Sequence, residues 1–200
     1  MPPAIEFYFD FSSPYGYLAS TRIEELAARH GRETLWRPIL LGAVFKATGG
    51  RPLAELPLKW DYSARDIARF ARLWGVPFRL PARFPIATQA PARAFYWADG
   101  RDPGLAKRLA GALFHAYFAE GRDIGSPAVT AEVGTALGLE PAQVLAAIND
   151  PAIKERLKGE TDAALARGVF GSPYLIADGE PFWGADRLDH LERWLATGGW

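Results

Sequence analysis

Strand-forming sequence is confined to the two ends of this chain, and that distribution limits the folds open to it more than any other feature. Residues 5 to 11, IEFYFDF, combine branched and aromatic side chains and stop at a pair of serines, which reads as a buried first strand. From Pro14 the apolar residues Tyr17, Leu18, Ile23, Leu26 and Ala27 recur at helical spacing until Gly31, predicting one helix over about 14 to 30. TLWRPIL then reads as a second strand, with Pro38 at its end or on a sheet edge. Strand, helix and strand in that order make a right-handed unit with a parallel strand pair.

The middle of the chain is different in kind. Helical patterning covers 60 to 74, 86 to 99, 104 to 120, 127 to 137, 140 to 149 and 151 to 167, with Pro, Gly and Asp between the stretches. Past Gly168 the strand signal returns as YLIADGEPFWG, two short runs about Asp178-Gly179, a dipeptide that favours a tight hairpin. A last amphipathic helix, ADRLDHLERWL, follows. The order is βαβ, helices, ββα: an α/β chain with a thioredoxin-like sheet over residues 1–44 and 169–200, interrupted by an all-helical insertion over 45–168.

Composition excludes several kinds of chemistry. The chain has no cysteine, so disulfides, thiolate metal sites and a thiol nucleophile of its own are ruled out. Basic and acidic residues balance at 23 each, so no net field draws it to nucleic acid or to an anionic membrane. MPPAIEFYFD lacks the basic and apolar regions of a targeting segment, and a cytoplasmic protein is expected. His30, His115 and His190 lie far apart on separate helical stretches, without metal-ligand spacing. Glu24 and Glu25 read as a solvated helix face. Phe95, Tyr96, Trp97, Phe114, Tyr117 and Phe118 read as insertion core, part of it able to line an apolar pocket for a flat aromatic substrate.

Candidate chemistry gathers at turns. Ser13 before Pro14 can be a helix cap and nothing more. A strand-to-helix turn also exposes free N–H groups that favour an anion, and a hydroxyl there can donate to a bound thiolate and lower its pKa. Ser13, Pro14, Tyr15 and Gly16 fall on the slot that a thioredoxin-like protein fills with Cys-x-x-C. Asp10, read as part of the first strand, is the acid whose burial near Ser13 invites interest, with a purely structural role as the alternative. At Ser172-Pro173 an ordinary strand start competes with a cis-proline whose preceding residue presents its N–H and C=O to a peptide backbone. At Trp183, Gly184, Ala185 and Asp186, the acid reads as the N-cap of the last helix, free to accept from a ligand ammonium, with Gly184 allowing close approach. Sulfur, peptide backbone and amino-acid head group are the parts of glutathione. Arg93 and Arg187 are candidate anchors for a substrate carboxylate.

The stretches FYFDFSSPYGYLA, LPLKWDY, RFARLWGVPF and FGSPYLIADGEPFWGADRLDHL resemble the 2-hydroxychromene-2-carboxylate isomerases and the related kappa-class glutathione transferases, and they span nearly the whole chain. The resemblance implies a thioredoxin-like domain with a helical insertion, a homodimer, glutathione as cofactor and an aromatic carboxylate as substrate. It implies that Ser13 is the catalytic residue and that Ser172, next to Pro173, holds the cysteinyl backbone. Trp183, Gly184, Ala185 and Asp186 match the segment for the γ-glutamyl end, and Lys59 falls where kappa-type members place a lysine near the glycyl carboxylate. Two positions depart: a loop asparagine is replaced around Gly49-Gly50, and Phe84 stands where one branch has an aromatic hydroxyl near the substrate. Isomerisation by reversible thiolate addition, conjugation or peroxide reduction at the same site, and non-catalytic binding of an extended peptide at Pro173 all stay open at this level.

Overall fold

A computed structural model describes residues 2–200. One sheet holds β1 (Ile5–Phe9), β2 (Thr34–Pro38), β3 (Tyr174–Ala177) and β4 (Glu180–Trp183) in the order β2-β1-β3-β4. β1 runs parallel to β2 and antiparallel to β3, which pairs antiparallel with β4. A strand flanked on both edges and covered on both faces needs an almost continuous apolar run, and β1 is buried at every position but Glu6. Phe7 and Phe9 point to a core that includes Trp36, Phe95 and Phe114, while Tyr8 packs with Ile39, Val44, Tyr174 and Ile176 on the other side. Asp10 lies just past β1, in the turn rather than in the strand. The hairpin closes through Asp178 (φ 55°) and Gly179 (φ 86°), the left-handed pair that a two-residue turn requires. Arg32 grips Asp178 through two nitrogens at 2.7 and 3.0 Å.

The single helix expected over 14 to 30 is two, α1 (Pro14–Ser20) and α2 (Ile23–Arg29). The hydroxyls of Ser20 and Thr21 donate to the carbonyls of Tyr17 and Leu18 at 2.7 and 2.8 Å, a local competition that ends the first helix. The next helix, α3 (Leu41–Thr48), lies outside the stretches read as helical and runs across position 44. Beyond it come α4 (Lys59–Trp74), α5 (Gln89–Asp99), α6 (Pro103–Phe118), α7 (Pro127–Thr135), α8 (Pro141–Asn149) and α9 (Pro151–Ala166). The last four open on proline, which suits a position whose N–H has no helical partner. After the hairpin a 3-10 turn over Ala185–Arg187 leads into α10 (Leu188–Thr197). One core continues from the sheet into α5 and α6: the ring of Phe9 meets those of Phe95 and Phe114 at 6.0 and 5.4 Å. Among the described residues no helix is long and apolar enough to cross a membrane.

Glu24 departs from its expected role as a purely solvated side chain, since it accepts from Trp36 Nε1 at 2.6 Å and from Lys107. A second polar tie holds the far end of β1. Glu6 accepts from Tyr8 at 2.8 Å and from Arg167, and sits 3.2 Å from Arg37. Burial alone would raise the Glu6 pKa, but those hydrogen bonds and charges leave it lowered, whereas burial and the same carboxylate push Tyr8 up to about 12. A carboxylate whose folded pKa is depressed contributes stability that is present above its ordinary value of 4.5 and lost as pH falls through the folded value. Arg167→Ala is therefore expected to reduce the stability difference between neutral and acidic pH, with the separation closing below pH 4.5. Urea midpoints of both proteins measured across that range would show it, and midpoints offset equally at every pH would contradict it.

Candidate functional site

The turn between β1 and α1 places Ser13 as the N-cap, with its backbone extended at φ −93° and its Oγ accepting from Gly16 N at 3.0 Å. The same hydroxyl donates to the carbonyl of Ser172 at 2.9 Å. Ser13 is buried, 6% exposed, at the contact between two chain segments 159 residues apart. Capping and a tie to the segment ahead of β3 thus coexist in one side chain. A Cβ at position 16 would stand 2.9 Å from Ser172 Oγ and 3.1 Å from Ser13 Cβ, so the bare α-carbon of Gly16 is what lets the segment ahead of β3 come this close.

The Ser172-Pro173 peptide is cis, as expected from the sequence. Its polar groups are arranged differently from the expectation that both point outward. The Ser172 carbonyl is taken by Ser13, and its Oγ accepts from Asp10 N at 2.9 Å. Among the described residues the Ser172 N–H has no acceptor, so one backbone group of this residue and not two is left open. The Pro173 carbonyl accepts from Gly184 N at 3.1 Å, which brings the third junction against the second.

At that third junction Asp186 is not an N-cap. Gly184 precedes the 3-10 turn and Arg187 precedes α10, neither with a capping side chain. Gly184 has φ 108°, and a Cβ there would lie 2.4 Å from Asp186 Oδ1, so glycine is required by the turn itself, whatever it allows a ligand. Ala185 is buried, while the Asp186 carboxylate is half exposed and 3.3 Å from Arg187, which also reaches His190 at 3.4 Å. The indole of Trp183 is 55% exposed and lies on Phe170 (4.9 Å) and against Gly171, whose Cβ would meet Trp183 Nε1 at 2.3 Å.

An opposing wall comes from the loop ahead of α5. Ile86 N donates to Ser12 Oγ at 3.1 Å, and Tyr117 donates to the Arg83 carbonyl at 2.8 Å, which ties residues 83–86 to the Ser13 turn. In this loop Phe84 precedes a second cis-proline, Pro85, and stacks on Trp60 at 5.2 Å, so Phe84 does reach the neighbourhood of the site. Lys59, beside Trp60, opens α4. It is exposed and makes no ion pair among the described residues. Leu58 before it has φ 66° and ψ −48°, and Lys59 N donates across it to Pro57 O at 2.8 Å. Such a tight turn with positive φ at a branched side chain costs on the order of 1–3 kcal/mol and is illegible in sequence. Further along α4, Asp66 accepts from Tyr15 at 2.9 Å, locking α4 to α1. Arg93 is the candidate that does not join: it turns to the Ile148 carbonyl of α8 at 3.3 Å.

Asp10 is buried, 3% exposed, beneath all of this. Its Oδ1 accepts from Ser12 N at 2.7 Å, and its Oδ2 accepts from Leu41 N at 2.8 Å and from Thr88 Oγ1 at 3.1 Å. Burial pushes its pKa up, with the bonds from Leu41, Ser12 and Thr88 pulling the other way. Ser12 and Thr88 are not among the candidates read from sequence: Thr88 falls inside the stretch read as helical over 86 to 99 and only the structure puts it ahead of α5, while Ser12 stands beside Ser13.

The family model of DsbA-like thioredoxin domains matches residues 4–196. A 2-hydroxychromene-2-carboxylate isomerase of Pseudomonas putida is 33% identical over 94% of this chain and 92% of its own length. A protein named glutathione S-transferase kappa 2 from Caenorhabditis elegans is 30% identical over 96% of this chain and 91% of its own. A solved structure of a 2-hydroxychromene-2-carboxylate isomerase superposes with a TM-score of 0.88 at 32% identity, covering 98% of this chain and 94% of that one.

Proposed function

The chain belongs to the 2-hydroxychromene-2-carboxylate isomerase family of DsbA-like thioredoxin domains, and we propose that it isomerises a hydroxychromene carboxylate, or a related aromatic-degradation intermediate, to the trans-hydroxybenzylidenepyruvate with glutathione as cofactor. That it is an isomerase of this family follows from its relatives; the cofactor and the substrate are our reading. One observation carries it: a hydroxyl, Ser13, stands where a redox protein of this fold has a thiol, in a chain without cysteine, across from a Ser172 N–H with no protein acceptor among the described residues.

The residues fit a tripeptide thiol. Ser13 would face its sulfur, the Ser172 N–H its cysteinyl carbonyl, the half-exposed Asp186 its ammonium, and the exposed Lys59 its glycyl carboxylate. When bound, glutathione supplies a sulfur nucleophile able to add reversibly to a conjugated carbon and so free a double bond to rotate. Ser13 has one hydroxyl proton, donated here to the Ser172 carbonyl, and would turn it toward a bound thiolate because hydrogen bonds to charged acceptors are roughly twice as strong as neutral ones. The Phe84–Trp60 stack offers a flat apolar wall beside Ser12, and Arg187 is the cation at the other rim.

The test is a paired measurement: absorbance of a hydroxychromene carboxylate and total thiol, with glutathione at trace level. Isomerisation without thiol loss is the expected result. The kappa-named relatives favour one competing reading, in which the same site conjugates or oxidises glutathione; stoichiometric thiol loss would establish that instead. Glutathione at about 100 times its dissociation constant should stabilise the fold by ~2.7 kcal/mol through mass action, and an unchanged melting temperature would remove the cofactor from the account.

A further inference from the structure

Four segments around the site meet at one residue, and we propose that Asp10 is a positioning residue that holds Ser13 in register with them. Its carboxyl takes Ser12 N on one oxygen and Leu41 N and Thr88 Oγ1 on the other, while its own N–H donates to Ser172 Oγ. Those partners belong to the α1 turn, the start of α3, the residue ahead of α5 and the lead-in to β3. Ser13 itself is fastened to the same residue, its N–H donating to the Asp10 carbonyl at 2.9 Å.

The geometry specifies the residue type. Two backbone N–H groups approach opposite oxygens, so both must have acceptor lone pairs, which a carboxyl provides in either protonation state and an amide does not. Asparagine would set an NH2 against the N–H of Ser12 or of Leu41, and a buried donor left without a partner costs ~1–3 kcal/mol. Glutamate is one methylene too long for a site that is 3% exposed. None of the side chains bonded to Asp10 is charged; the titratable group that feels it is Tyr117 of α6, whose phenol is itself pushed up by burial.

The inference rests on the glutathione reading for its catalytic consequence but not for its geometry, and Asp10→Asn separates the two. In the ligand-free protein, amide hydrogen exchange at Leu41 or Ser12 should quicken by roughly tenfold, the equivalent of one lost hydrogen bond. With glutathione bound, the thiol followed by its ultraviolet thiolate absorbance should titrate at higher pH than in the wild type, because Ser13 is no longer aimed at it. The sign is diagnostic: with Ser13 undisturbed, losing whatever negative charge Asp10 carries moves that titration lower or leaves it in place. Turnover should fall more than KM for the aromatic acid rises. Unchanged exchange at both amides, or a thiol pKa that does not rise, overturns the proposal. Should Asp10→Asn not fold, Thr88→Val, which removes one donor and keeps the carboxyl, is expected to show the same directions at smaller amplitude, and no change in it is equally contrary. If the wild type binds no glutathione the functional reading fails, while the exchange result still judges the role of Asp10.

Discussion

Ser13→Ala is expected to lower kcat for isomerisation by about 10²-fold, the order seen when one preorganised donor to a developing anion is removed. Glutathione affinity should change far less, because the groups assigned to the rest of the tripeptide, Ser172 N–H, Asp186 and Lys59, are untouched. A separate cost falls on stability. The hydroxyl caps α1 through Gly16 N and bonds the Ser172 carbonyl, so its loss should remove ~1 kcal/mol or somewhat more. The two effects are separable by measuring kcat under saturating substrate and glutathione alongside a calorimetric dissociation constant and a melting temperature. A variant with wild-type kcat would show that the hydroxyl only caps the helix. A variant whose loss is entirely in glutathione binding would make Ser13 part of the receptor and not of the chemistry.

How far the site was legible before the structure depends on the reach of each interaction. Ser13-Pro14 and Ser172-Pro173 could be found because their chemistry is local: a cap, a proline and a strand edge each leave a signature within a few residues. Gly184 is legible for a related reason, and the structure adds a second one: its φ is 108° and a Cβ there would meet Asp186 Oδ1. Arg93 marks a limit of sequence: an arginine in a helix suits a ligand carboxylate and a neighbouring helix's carbonyl equally, and only packing shows it on the Ile148 carbonyl. What joins the elements was unreadable. The bonds from Asp10 to Leu41 and Thr88 span 31 and 78 residues, and nothing in either local sequence announces them.

The same distinction governs the fold. Central-strand burial and the Asp178-Gly179 turn are written in residue type, so the sheet's pieces were identifiable. The break between α1 and α2 was missed because Ser20 and Thr21 lie within a run of helical apolar spacing, and their hydroxyls end the helix without disturbing it. The α3 helix was missed for the opposite reason: of its side chains only Val44 is buried, so its apolar pattern is weak. Its first N–H, Leu41, is satisfied by Asp10, which follows β1 just as Leu41 follows β2 at the same end of the parallel pair.

Phe114→Ala should have the largest effect on stability, a loss of ~3–5 kcal/mol, the usual cost of emptying a phenylalanine site in a packed core. Phe114 is fully buried and its ring meets Phe9, Phe11, Tyr17 and Phe118 at 5.4, 5.0, 5.9 and 6.4 Å. Those partners belong to β1, the Ser13 turn, α1 and α6 itself, so the cavity would open where the helical region meets the sheet. Against a total of roughly 5–15 kcal/mol, such a loss is a large fraction of what holds the protein folded. Because the core is continuous across that boundary, scanning calorimetry should show one transition displaced to lower temperature. Two transitions, only one of them displaced, would mean that the sheet and the helical segment unfold as separate units. Leu73→Ala on α4, whose side chain is 73% exposed, serves as the control and should stay within about 0.5 kcal/mol of the wild type. Phe114→Ala should also lose turnover at temperatures where it remains folded, since Tyr17 and Phe11 flank Ser13 along the chain and both rest on the ring that is removed.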